Sequence, residues 1–250
     1  MSMIPEMNTT SSFKKNTYNV IPDGEYEARI VRFIGLGVHK QDPWKDPKTG
    51  EVKEKQPAFR ADVTFELIGI DATGVDSEGK PLDTKPACQF KTYPVNPRAK
   101  NSGMLDLCKM IDPSIQALKG DLNWFKNVLL GQPVNITIGN YTNKAGETKN
   151  KIVRIDPIPG KYRSGVGEAR TDLVFFEPYA TTDENVASYN KIYPYQRNLL
   201  SEAIDVKNIP LAGKEVEKAS STEMSEPKAA VQTVDKEPEV AQEFNDDVPF

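Results

Sequence analysis

The chain has 250 residues, 32 Lys or Arg against 36 Asp or Glu, a formal net charge of −4, and 38% hydrophobic residues. Its length suits one large domain with additions, and the acidic balance alone argues against a nucleic-acid binder. Two cysteines (Cys88, Cys108) and a single histidine (His39) exclude a disulfide framework, a CxxC pair and a two-histidine metal site, leaving a Cys–His pair as the one nucleophilic option.

The charge is unevenly spread. Residues 214–250 hold four lysines and ten carboxylates, a net of −6, so residues 1–213 carry +2. A terminal acidic block of this kind reads as an interaction tail. The N-terminal stretch lacks the apolar core of a signal peptide, and no segment approaches the roughly 20 apolar residues of a membrane span. A cytoplasmic protein with no membrane partner is expected.

In chain order, residues 1–17 read as a loose polar arm. "GEYEARIVRF" alternates, with Tyr26, Ala28 and Ile30 opposed to Glu25, Glu27 and Arg29. "AFRADVTFELIGI" alternates more clearly, with Phe59, Ala61, Val63, Phe65 and Leu67 facing a core and Arg60, Asp62, Thr64 and Glu66 facing solvent. "CQFKTYPV" predicts a third strand with Cys88 and Phe90 inward and Gln89, Lys91 and Tyr93 outward, ended by Pro94 and Pro97. The intervening stretches, 36–58 and 70–86, carry turn sequences and are expected to protrude as hairpins.

The period then changes. Met104, Leu105, Leu107, Cys108 and Ile111 fall at helical spacing behind Ser102, a candidate N-cap. One or two short helices follow, stopped by Gly131, with Trp124 and Phe125 assigned to the core. Strands resume with "PVNITIGNY", turn at Asn143 to Thr148, and return through "KNKIVRIDPI".

Three strands, a helical interval and two strands predict a mainly β (α+β) chain. The expected fold is a five-stranded OB-fold, a Greek-key barrel with long inserted loops, over residues 18–157. Residues 158–206 contain a basic loop, the apolar "LVFFEPY" and a helix restarted at Pro194. They read as an extension packing on the barrel or on a neighbouring subunit. Residues 207–250 lack periodicity and are too polar to bury a core, so a disordered tail is expected.

The tail ends "NDDVPF". Pro249 stiffens the approach to Phe250, whose ring suits an apolar pocket while its α-carboxylate meets a basic side chain. Asp246 and Asp247 add steering toward a cationic rim. This tip closely resembles that of bacterial single-stranded DNA-binding proteins, which end in aspartates, an aliphatic residue, Pro and Phe. Val248 stands where isoleucine is usual and Asn245 where a third aspartate often is. The long loops and added helices look more like a divergent phage member. The resemblance implies an OB-fold that coats single-stranded DNA without sequence preference in replication, recombination and repair. It also implies recruitment of polymerase, helicase, primase or exonuclease through Asp246, Asp247, Val248, Pro249 and Phe250, in the bacterial host if the chain is phage-encoded.

Independently, sequence-neutral binding of single strands needs a cationic track and flat rings for base stacking. Lys40, Trp44 and Lys45 in the first long loop, Arg60, Lys91, Tyr93 and Arg98 around strands two and three, and Tyr141, Lys144, Lys149, Lys151 and Arg154 around the last hairpin alternate cations with aromatics. These are the candidate DNA contacts. Two alternatives remain at this stage. One is a strand-annealing recombination mediator. The other is a metal-dependent enzyme using Asp42 with Asp46 or Asp71 with Asp76, although no GxxxxGK[ST] or HExxH motif is present. No catalytic residue, metal ligand or cofactor is assigned, and self-association is left open.

Overall fold

A computed structural model describes residues 17–46, 48–100, 102–143 and 145–214. The expected N-terminal arm to residue 16, Lys144 and the tail from residue 215 with its tip lie outside the described residues.

The elements run β1 (Thr17–Tyr18), β2 (Gly24–His39), β3 (Trp44–Lys45), β4 (Val52–Lys53), β5 (Ala58–Ala72), β6 (Gly74–Val75), β7 (Lys85–Val95), α1 (Gly103–Ile111), α2 (Leu122–Leu129), β8 (Pro133–Thr142), β9 (Thr148–Pro157), β10 (Val174–Phe176), α3 (Asp183–Lys191) and α4 (Pro194–Ser201). The chain is mainly β. Its main sheet is antiparallel in the order β7-β5-β2-β8-β9, and β10 joins β2 in parallel. Cα atoms of the edge strands β7 and β9 come within 8 Å of each other. β3 and β4 form a separate hairpin in the first long loop. In the second, β6 pairs instead with β1 from the N-terminal side. No helix among the described residues is long and apolar enough to cross a membrane.

β2 organises the sheet. Its first half, Gly24 to Arg29, pairs with β8, and Arg32 to Ile34 pair with β10 on the same edge. Register shifts after Ile30 and Gly35 bend the strand. Gly37 has φ +80, and a Cβ there would come 2.7 Å from Ile209 Cδ1, so both backbone and space demand glycine.

One core lies between the inner sheet face and helices α1 and α2. It contains Ile30, Phe33, Val63, Phe65, Val134, Ile136, Leu107 and Phe125, with the Phe33 and Phe125 rings stacked at 5.2 Å. Ser102 caps α1 by accepting from the Leu105 N–H, and Asp121 caps α2 through Asn123. A second core lies against the outer face of β2, where Ile34 and Leu36 pack with Val174, Phe176, Tyr189, Leu200, Ile209 and Leu211.

Three sequence expectations change. First, the phase of β7 is reversed: Tyr93 is 4% exposed and Phe90 is 42% exposed. Both phases of this strand carry an aromatic, so alternation alone could not choose. Register chose: Ala61 lies opposite Tyr93 and Val63 opposite Lys91, and directly opposed residues share a face. Second, the outer phase of β5 does not face water. Asp62, Thr64 and Glu66 are buried beneath the segment after β9. Glu66 accepts from the Arg170 and Thr171 backbone N–H groups at 2.8 and 2.7 Å. Asp62 accepts from Tyr195 Oη, Gln196 Nε2 and Thr92 Oγ1 at 2.6, 2.8 and 3.1 Å. Third, packed structure continues past residue 206, because Ile209 and Leu211 fill the second core.

Asp62→Ala would leave the Tyr195 hydroxyl and Gln196 amide without their acceptor. Lost hydrogen bonds to a buried charge are worth about 2–3 kcal/mol. Urea unfolding should show a loss of that order, and Tyr195→Phe, which removes one donor, a smaller loss.

Candidate nucleic-acid interface

The proposed DNA contacts fall into local groups. Trp44 and Lys45 form one strand of the β3–β4 hairpin, opposite Lys53 and Val52. The Trp44 ring is 42% exposed, with Lys53 Nζ 5.9 Å from its centre. Lys53 was not among the candidates, although its pairing with Trp44 follows from an ordinary hairpin register. The hairpin's tip is shaped by Asp46, which accepts from the Lys48 and Thr49 N–H groups at 2.7 and 3.2 Å. Those backbone donors hold its carboxyl below the usual range.

Tyr141 sits near the end of β8, 44% exposed, and Lys151 Nζ on β9 is 5.8 Å from its ring centre. Lys149 lies opposite Tyr141 and is paired with Glu147 at 3.2 Å. Arg60 Nη2 donates to the Lys40 carbonyl at 2.6 Å, tying the end of β2 to β5. Arg98 lies exposed in the turn after β7.

One candidate ring loses the placement expected for it. Tyr93 belongs to the core and offers no stacking face; Lys91 is half-buried with Nζ 5.4 Å from that ring's centre. Arg154 keeps its exposed placement and makes surface ion pairs with Glu25 at 2.8 Å and Asp156 at 2.6 Å.

A further group went unnoticed in the sequence. A cleft of about 900 Å³ opens between β1, the start of β7 and the N-terminal end of α4. Phe90 meets Tyr193 and Tyr195 edge-on, with centroids 5.5 and 5.8 Å apart, while Tyr193 and Tyr195 stack at 6.1 Å. The Arg32 guanidinium lies 4.4 Å from the Tyr193 ring centre, and Lys85 Nζ 4.3 Å from that of Tyr18. The rings come from positions 18, 90, 193 and 195, so no local spacing announces them.

Three of the four aspartates in the acidic pairs are engaged locally. Asp46 and Asp76 cap their own turns, and Asp71 pairs with Arg170 at 2.6 Å. Among the described residues no three His, Cys, Asp or Glu side chains group as a metal site. His39 is buried with Nε2 2.9 Å from the Leu36 carbonyl. Burial pushes the Cys108 thiol up to about 12 and raises that of Cys88, the reverse of an activated nucleophile.

No protein-family model, curated protein or solved structure matches this chain.

The thiol shift sets a pH trend. An unfolded thiol ionises near its ordinary value of 9.0, whereas folded Cys108 holds its proton to about 12. Between those values the unfolded state binds fewer protons, so this group's contribution to stability falls as pH rises. Urea midpoints measured at pH 8 and above pH 9 should show that fall, with a shallower slope for Cys108→Ala.

Proposed function

We propose that this chain binds single-stranded DNA with little sequence preference and recruits replication or recombination proteins through its acidic tip. The observation that carries the proposal is the pair of exposed aromatics, Trp44 and Tyr141, each on a β-hairpin with a lysine beside its ring. A flat ring next to a cation accommodates a base and its phosphate without reading base identity. The strand order supports the same function. β2, β5 and β7 run as a meander, β8 returns beside β2, and β9 approaches β7. This is the order of an OB-fold, and a barrel closed between β7 and β9 is part of the proposal. In such a barrel the loops after the first strand and between the last two flank the binding face. Here those loops hold the Trp44 hairpin and the turn beyond Tyr141.

The tip residues Asp246, Asp247, Val248, Pro249 and Phe250 supply an acidic, apolar peptide ligand for a basic pocket on a partner. The tail's net −6 against +2 for the rest also makes it a competitor for the same cationic surface.

Fluorescent oligo(dT) titrated at two salt concentrations should bind tightly at low salt and progressively more weakly as salt rises, through counterion release. Duplex DNA of equal length should bind much less. Trp44→Ala and Tyr141→Ala should each lose about 1–3 kcal/mol of binding. Equal affinity for duplex, or none for either, overturns the proposal. Removing residues 215–250 should raise affinity for oligo(dT) at low salt; an unchanged affinity would remove the competitive role of the tail.

A further inference from the structure

The cleft between β1, β7 and α4 is lined by neither hairpin's ring-and-lysine pair and brings together several aromatic side chains. Its wall combines Phe90, Tyr193 and Tyr195, and its rim adds Tyr18, with Phe90, Tyr195 and Tyr18 each about 40% exposed. Soluble proteins seldom leave several large rings together at the surface without a use. Two cations, Arg32 and Lys85, share the space.

Arg32 is the informative member. One of its terminal nitrogens donates to the Lys191 carbonyl at 2.7 Å, which fixes the guanidinium over Tyr193. Its Nε is buried and has no hydrogen-bond partner, and Thr64 Oγ1, opposite Arg32 in the β2–β5 register, is also unpartnered. A buried guanidinium donor without an acceptor is costly to leave unsatisfied. The nearby carboxylates do not supply that acceptor: Asp172, which Arg32 also helps hold ionised, is bonded to Lys191 at 2.9 Å, Asp62 is taken by Tyr195, Gln196 and Thr92, and Glu66 by backbone N–H groups of the following segment.

We propose that this cleft is a nucleotide-binding subsite for single-stranded DNA. A base stacks on the exposed faces of Phe90 and Tyr195, the Arg32 guanidinium over Tyr193 supplies positive charge beside it, and Lys85 pairs with an adjacent phosphate. The volume of about 900 Å³ sits at the upper end of small-ligand pockets, roughly 300–1,000 Å³, enough for more than one nucleotide. An occupant must be flat, anionic and rich in acceptors. Aromatic walls with two cations fit that chemistry better than an apolar peptide, which would strand both charges. The subsite is built by the segment after β9 as much as by the sheet, since Tyr193 and Tyr195 belong to it. It rests on reading the chain as a single-strand binder, and it moves part of the contact away from the hairpins.

The test uses the full chain and an oligo(dT) carrying 5-iododeoxyuridine, photo-cross-linked and mapped by peptide mass spectrometry. Cross-links at Tyr18, Phe90, Tyr193 or Tyr195 are expected. Phe90→Ala should weaken binding of the unmodified oligonucleotide roughly 5- to 150-fold, the range of one lost stacked base. Lys85→Gln, an exposed change that spares the core, should lower the slope of log affinity against log salt by about one. Binding by the parent chain with cross-links only at Trp44 or Tyr141, and with Lys85→Gln and Phe90→Ala indistinguishable from it, overturns the subsite and leaves the broader function standing. No binding of oligo(dT) by the parent chain overturns both. Cleft cross-links with unaffected Trp44→Ala and Tyr141→Ala would support the subsite and remove the hairpins from the interface.

Discussion

The arrangement depends on two carboxylates placed in the middle of a sheet. Asp62 and Glu66 project from β5 on the face away from the first core, and both are about 1% exposed. Buried charges need dedicated donors. Glu66 finds them in two consecutive backbone N–H groups, and Asp62 in side chains of α4 and of β7. The segment after β9 therefore cannot be a loosely attached addition. Two points four residues apart on β5 hold it, and arginines of β2 add more. Arg29 donates to the carbonyls of Gly131, Val166 and Gly167, and Arg32 to that of Lys191.

That cover redistributes the surface open to a ligand. Without that cover the sheet would offer the outer faces of β5 and β7. The middle of β5 is occupied by the chain itself. What stays open is the periphery: the β3–β4 hairpin, the β8–β9 hairpin, and the cleft where the cover meets β7. The same segment that closes one face supplies Tyr193 and Tyr195 to that cleft, so the extension covers polar strand surface and creates aromatic surface.

The electrostatics follow the same division. Several cations already have partners close by: Arg154 between Glu25 and Asp156 and Lys149 with Glu147 on the strands, Lys126 with Glu184 and Lys191 with Asp172 on the helices. Counting basic residues along the chain overstates the charge offered to a polyanion. Lys53, itself paired with Glu51 at 3.3 Å, and Lys85 and Lys151 each stand beside an aromatic ring, and a ring with its cation is a more selective marker of a stacking site than charge alone.

The order of strands and helices was legible in the chain, because period-two and helical periodicities are local properties. So was the inward face of β5, where Ala61, Val63, Phe65 and Leu67 alternate without competition. The Ser102 cap was legible for the same reason: its acceptor and donor lie three residues apart. The hairpin aromatics Trp44 and Tyr141 were legible as ring-plus-lysine segments. The phase of β7 was not, since Phe90 and Tyr93 make both of its faces plausible cores and only pairing with β5 separates them. Nor was the fate of Asp62 and Glu66. A polar residue on alternate positions reads as solvent-facing unless a segment more than 100 residues later brings donors to it, as Arg170 and Gln196 do. Local pattern determines which residues share a face; tertiary packing decides whether that face meets water, because the covering groups come from anywhere in the chain.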